Sequence, residues 1–338
     1  MRHTLLSHLG VVLHLAIVVG AFAAILTGCA SSPSTVSEEV IPLGRQYTPL
    51  IEATHQSDMA RVEVLVKSGV DVNKKNEFGW DALFFAIDAL RPDIAVFLLK
   101  NGADARSREP PGRSPSWRRA PASTTSLSGS TILMAAVARD FPDVVKELIA
   151  RHADVAARNY YGENALRFAR SPEVAQLSID QGLNPNTTVG TGQKNDFSII
   201  GSNTVLIIAA QEGRVALMDV LLQAGADPNA RGVLGATAMH FAAEFNQVES
   251  IRRLLATGKV DINVSNGSDT PLHWAVMHRR IGTVKFLLDA GADVAIRQKT
   301  NFRRTALEIA NVYDAVEIAN LIKQHIATLA ESKGRSDN

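Results

Sequence analysis

One short pattern recurs eight times along the chain and constrains its fold more than any other feature. Leu50, Leu83, Leu133, Leu166, Leu206, Met239, Leu272 and Leu307 are each followed three residues later by an alanine: Ala53, Ala86, Ala136, Ala169, Ala209, Ala242, Ala275 and Ala310. Two residues before each anchor stands a Thr, Asp or Asn: Thr48, Asp81, Thr131, Asn164, Thr204, Thr237, Thr270 and Thr305. Where nothing is inserted the anchors are 33 residues apart. A fixed period of this size means that each unit buries its apolar face against the next, so the chain folds as a quasi-linear array.

The chemistry of the unit follows from those positions. Thr, Asp and Asn side chains accept from the unpaired N–H groups at a helix start, and Pro49 and Pro271 sit where a helix needs no N–H. The anchor and the alanine one turn later share a face, and the small alanine admits a neighbouring helix. A second helix ends near Leu65, Leu98, Leu148, Leu221, Leu254 or Leu287. Each is followed four residues on by Gly69, Gly102, His152, Gly225, Gly258 or Gly291. Glycine suits the left-handed stop there, and His152 predicts a strained or differently closed turn.

The motifs Thr270-Pro271-Leu272-His273-Trp274-Ala275, Phe286-Leu287-Leu288-Asp289-Ala290-Gly291-Ala292-Asp293 and Val220-Leu221-Leu222-Gln223-Ala224-Gly225-Ala226-Asp227 resemble the ankyrin repeat. That resemblance implies an all-α repeat solenoid over residues 48–327, with about eight helix-turn-helix units joined by β-hairpin fingers. A polar cap and a tail, 328–338, close it. The spacings of 50 and 40 between anchors mark finger-loop insertions near 107–129 and 187–202. The first carries four arginines and Trp117 on a Pro/Ser-rich segment, which reads either as a clamp on a partner or as a solvated loop. In the second, Gly190-x-Gly192-x-Lys194 lacks the Lys-Ser/Thr ending and preceding strand of a phosphate loop.

The N-terminus is a separate region. Met1-Arg2-His3 precedes an apolar run, Leu9 to Leu26, that ends in Leu26-Thr27-Gly28-Cys29. This resembles the signal and lipobox of bacterial lipoproteins, implying removal of residues 1–28 and lipid on Cys29, with 29–47 as a tether. Ala30 and Ser31, in place of an inner-membrane Asp signal, favour the outer membrane facing the periplasm. Cys29 is the one cysteine, so neither an intramolecular disulfide nor a multi-cysteine zinc site is available.

Lys and Arg total 35 against 34 Asp and Glu. Such balance argues against nucleic acid as a partner. No nucleophile elbow, metal-protease helix or paired-carboxylate cleft has the required spacing, so the expectation is no catalytic residue, no metal, no cofactor and no small-molecule substrate. His240 and His273 follow their anchors directly, where ankyrin histidines tie a helix to a neighbouring loop.

What remains is surface. In ankyrin geometry, residues two, five and six after an anchor face the concave side. These include Phe85, Phe241, Glu244, Phe245, Trp274, Met277 and His278, although the first position also packs between repeats. Finger tips add Trp80, Tyr160, Tyr161, Phe302 and Arg303. Aromatics on turns are favoured partner anchors. Together with Trp117 these form the expected protein-binding set.

A lipobox joined to ankyrin repeats resembles the periplasmic immunity proteins that neutralise lipase-type effectors of type VI secretion. The resemblance implies a membrane-anchored, non-catalytic inhibitor of a secreted toxin. The alternative is an envelope scaffold for a resident periplasmic protein. An ankyrin effector delivered to a eukaryotic host is disfavoured by the lipobox.

Overall fold

Each capping residue and its anchor open a seven-residue helix in most units, and a nine-residue partner helix then folds back beside it. The computed structural model describes residues 47–110, 129–160, 162–189 and 203–336. All lie within one unit, Leu43–Asn338. The helix pairs are α1 (Pro49–His55) and α2 (Met59–Lys67), α3 (Ala82–Asp88) and α4 (Pro92–Lys100), α5 (Ile132–Ala138) and α6 (Pro142–Ala150), and α7 (Ala165–Phe168) and α8 (Pro172–Asp180). They continue as α9 (Val205–Gln211) and α10 (Val215–Gln223), α11 (Ala238–Glu244) and α12 (Val248–Ala256), α13 (Pro271–Met277) and α14 (Ile281–Asp289), and α15 (Ala306–Val312) and α16 (Val316–Ser336). Among the described residues, no helix is long and apolar enough to cross a membrane.

The caps work as their chemistry requires. Thr48, Asp81, Thr131, Thr204, Thr270 and Thr305 each accept from the backbone N–H three residues on. All eight repeat alanines are fully buried, as are seven of the anchors, while Leu307 at the cap is half-buried. Side chains this small let successive first helices approach closely, giving one apolar core along the stack.

His240 and His273 are structural ties. The Nδ1 of His240 accepts from Thr237 N–H at 3.2 Å, and that of His273 accepts from Thr270 N–H at 3.1 Å. Each Nε2 then donates to a carbonyl of the next finger, Asp269 at 3.1 Å and Ile296 at 3.2 Å. Burial, foremost, holds both imidazoles neutral, with His240 pulled down to about 4.

Two further ladders join the units. Asn73 donates to Gly102 O and accepts from Asp104 N–H, and Asn186 repeats the bridge to Gly225 and Asp227. Arg91, Arg214 and Arg280, each eight residues after an anchor, reach back to a carbonyl at the end of the preceding unit's first helix. The acceptors are Ser57, Ala169 and Glu244, at 2.7, 2.8 and 2.5 Å.

The fingers depart from the expected β-hairpins. The described residues contain one two-residue antiparallel pair, β1 (Thr188–Val189) with β2 (Asn203–Thr204), and two isolated bridges. Turns replace strands because short side chains take the ladder's hydrogen bonds, as when Asn76 Oδ1 accepts from both Phe78 and Trp80 N–H.

At His152 the first of the two expected outcomes holds, a strained turn rather than a differently closed one. Its backbone is left-handed (φ 59°), and Ala153 N–H closes on Leu148 O at 3.0 Å, as Ala103 N–H does on Leu98 O. The turn therefore keeps its closure, and the histidine carries the strain of a position suited to glycine.

Unit four is the irregular one. It reaches Gly182 three residues early, and α7 is correspondingly cut to four residues, ending where Ala169 turns extended (ψ 127°). Asn164 makes no cap, and its Oδ1 is buried without a partner. Ser171 instead caps α8. The final helix α16 continues to Ser336, through most of the segment read as a polar tail.

Candidate protein-binding surface

The C-terminal ends of the first helices bring the polar and aromatic residues of successive units side by side. At the start of this row Tyr47 stacks on His55, ring centroids 5.2 Å apart, and both meet Phe85 edge-on. Asp88 pairs with Arg139 of the next unit at 2.7 Å. Arg167 lies 3.7 Å from Glu163 and 3.3 Å from Glu212, which also pairs with Arg214 at 3.1 Å. Residues five and six after an anchor are thus largely engaged in ties between units.

Farther along, Phe241 and Trp274 meet edge-to-face at 5.5 Å, and Trp274 also packs on His240 at 5.4 Å. The ring of His278 lies 6.5 Å from the Trp274 ring, and its Nε2 is 3.6 Å from Glu244 Oε1. Phe245 and Met277 stand half-buried beside them. Burial pushes the Glu244 carboxyl up to about 7, against the opposing pull of Arg280, and pushes the His278 imidazole down. Burial disfavours the charged form of each group, so this contact is weaker than an ion pair between two fully charged partners.

Several expected contact residues prove to be core. Trp80 is 5% exposed and packs edge-on against Phe84 at 5.3 Å, because the finger turn folds its ring under the stack. Phe85, Phe241 and Trp274 are also buried, since the position two after the anchor faces the neighbouring repeat. Glu244 is buried as well, leaving Phe245, Met277 and His278 as the partly open members of the groove.

At the finger tips Tyr160 and Phe302 are 54% and 48% exposed, and Arg303 is exposed too. Tyr160 lines a shallow pocket of about 390 Å³ with Lys75, Arg108 and Glu109. Trp117, Tyr161, Cys29, the signal and tether (except Tyr47), and most of both insertions lie outside the described residues. The start of the first insertion is fixed: buried Ser107 donates to Asp81 Oδ2 at 2.5 Å.

The inter-unit arginines escaped the sequence reading, although their constant offset from the anchor was a usable signal. Exposed Leu234 and Leu90 were also missed as strained positions, both left-handed with φ 58°.

The family model "Ankyrin repeats (3 copies)" matches residues 13–109 and 206–298, and the single "Ankyrin repeat" model matches 128–160. The chain is similar to the E3 ubiquitin-protein ligase KEG of Arabidopsis thaliana, with 30% identity over 75% of this chain and 16% of the ligase. It is 28% identical to the fowlpox virus ankyrin repeat protein FPV031, over 60% of this chain and 50% of that one. It is 32% identical to alpha-latrocrustotoxin-Lt1a of Latrodectus tredecimguttatus, over 30% of this chain and 7% of the toxin. The chain thus spans half or less of the length of each of these relatives. With the repeat pattern, the stacked helix pairs and both family matches in agreement, the chain belongs to the ankyrin-repeat family, whose arrays bind protein partners and are not themselves catalytic.

Proposed function

We propose that this protein is a lipid-anchored, non-catalytic inhibitor that binds and neutralises a secreted toxin of the lipase or phospholipase type delivered by type VI secretion. The observation that carries the binding reading is that Phe245, Met277 and His278 stay partly open at the ends of α11 and α13, the helices that carry the buried Phe241–Trp274 pair, with His278 against Trp274. A preformed apolar patch on a rigid stack binds with little ordering cost. Aromatic and Met side chains beside polar groups supply both anchor area and register.

The location rests on Leu26-Thr27-Gly28-Cys29. Lipid on Cys29 would hold the protein at the outer membrane facing the periplasm, where such a toxin acts. Labelling with a radioactive fatty acid tests this, with loss of label in Cys29→Ser as the supporting result.

The function is tested by competition. A deletion strain should be killed by a toxin-armed parent and rescued by the native gene, while a Phe245→Asp, Met277→Asp copy should fail to rescue. Normal survival of the deletion strain would sink the inhibitor reading. Stable association with a resident envelope protein would instead support the scaffold role.

A further inference from the structure

The last finger differs from the others in length and charge. The anchor spacing across it is 35 rather than 33, so it carries two extra residues. Between Asp293 and Thr305 it holds Arg297, Lys299, Arg303 and Arg304 and no acidic residue. Arg297 is neutralised by Glu308 at 2.9 Å. Lys299, Arg303 and Arg304 make no ion pair among the described residues, and no other interaction takes up their charges except a ring contact. That contact is the Arg304 guanidinium lying over Phe302, 4.7 Å from the ring centroid.

Phe302 itself is 48% exposed at the tip of this loop. The acidic group facing the finger from its neighbour is Asp269, whose Oδ1 accepts from Gln298 Nε2 at 2.5 Å at the finger's base. The loop therefore presents one exposed apolar ring with Arg304 over it, and Lys299 and Arg303 within three residues of it in sequence, the three cations without an ion pair among the described residues. Water solvates that ring poorly, and the cation–π contact restrains the Arg304 guanidinium beside it, which lowers the side-chain entropy to be lost on binding.

We propose that residues 299–304 form a docking site for an acidic segment of a protein partner, one that places an apolar side chain on Phe302 and carboxylates against Arg303, Arg304 and Lys299. The site deepens the protein-binding reading and rests on it, but lies apart from the Phe245–Met277 patch in sequence and in chemistry. Planar guanidinium groups match carboxylates bidentately. An anionic lipid surface fits less well, because stable attraction to it takes a larger cluster of basic residues than these three.

The test uses the full chain and a short fluorescein-labelled peptide of alternating Asp, Glu and Leu, followed by fluorescence polarisation. Binding should fall at least about tenfold in an Arg303→Glu, Arg304→Glu variant and on Phe302→Ser, weaken with salt, and be absent for the Lys-for-Asp/Glu peptide. Thermal unfolding should shift little in these variants, since Phe302 and Arg303 are exposed and Arg304, half-buried, lies against Phe302. Acidic-peptide binding indifferent to charge reversal would overturn the site. So would equal binding of the basic peptide, or capture by phosphatidylglycerol vesicles without peptide binding. Phe245→Asp leaves the peptide affinity intact, so failure of the groove and failure of the finger are read separately.

Discussion

Glu244 Oε1 lies 3.6 Å from His278 Nε2, joining the ends of two neighbouring first helices through two groups whose charged forms burial disfavours. Glu244 is raised from 4.5 to about 7 chiefly by burial. The folded state therefore holds this proton more tightly than the unfolded chain does. Its contribution is fully favourable below pH 4.5 and is lost as pH rises through 7, by up to about 3 kcal/mol. His278 acts oppositely: its lowered imidazole is compatible with the fold above its ordinary value and destabilises it as pH falls through the folded one. Glu244→Gln should thus gain on the native chain between pH 4.5 and 7 and stay ahead at pH 8, as read from urea midpoints. A constant difference across that range would show that burial does not perturb this carboxyl.

The stack has a polar seam between units four and five. With α7 cut to four residues, its contact with α9 is marginal, and Arg214 spans the gap to Ala169 O at 2.8 Å and to Glu212 at 3.1 Å. Burial is the main force pulling this guanidinium down from its ordinary value. Arg214→Met should cost about 2 kcal/mol, the range for a lost charged hydrogen bond. Hydrogen exchange should accelerate first in α7 and α9, whereas uniform acceleration along the array would contradict a local seam.

Leu90 occupies the tight turn between α3 and α4 with φ 58° and is 56% exposed. The equivalent places seven residues after other anchors hold Ser57, Asp140, Gly213, Asn246, Arg279 and Asp314, all left-handed. A bulky aliphatic side chain pays about 1 kcal/mol for this conformation and gains little burial in return. Leu90→Asn should raise stability by about that amount in guanidinium melts. Loss of stability would mean that the exposed side chain packs more than its accessibility indicates.

The repeat was legible because its signals are local and identical in chemistry: Thr204 caps α9 just as Thr131 caps α5, and neither needs distant context. The surface was less legible, since Trp80 and Phe302 are both aromatics on finger turns. Only the path of the turn decides that the first tucks under the stack while the second stands in water. Arg280 and Asn73 look like ordinary surface residues in sequence, and their partners, Glu244 O and Gly102 O, belong to the neighbouring unit. Asn164 shows the limit of the pattern itself. It matches the capping position, yet the shortened unit leaves its side chain without the N–H it should receive.

The division between core and contact residues along the groove yields a direct comparison. Trp274 is 7% exposed and holds Phe241 and His240 at ring distances of 5.5 and 5.4 Å, so Trp274→Ala should remove about 3–5 kcal/mol of stability and loosen α11 against α13. Phe245 and Met277 are half-buried at the ends of those helices. Phe245→Ala and Met277→Ala should each cost about 1 kcal/mol or less, because truncating a partly solvated side chain opens no closed cavity. If the patch contacts a protein, those two variants lose partner affinity out of proportion to their stability change. Trp274→Ala would instead lose both together, and adding Leu90→Asn, worth about 1 kcal/mol, would offset only part of the stability loss without restoring the binding. Measuring melts and affinity on the same four variants separates the cases. Equal stability losses at Phe245, Met277 and Trp274 would place all three in the core and leave the groove without an open anchor.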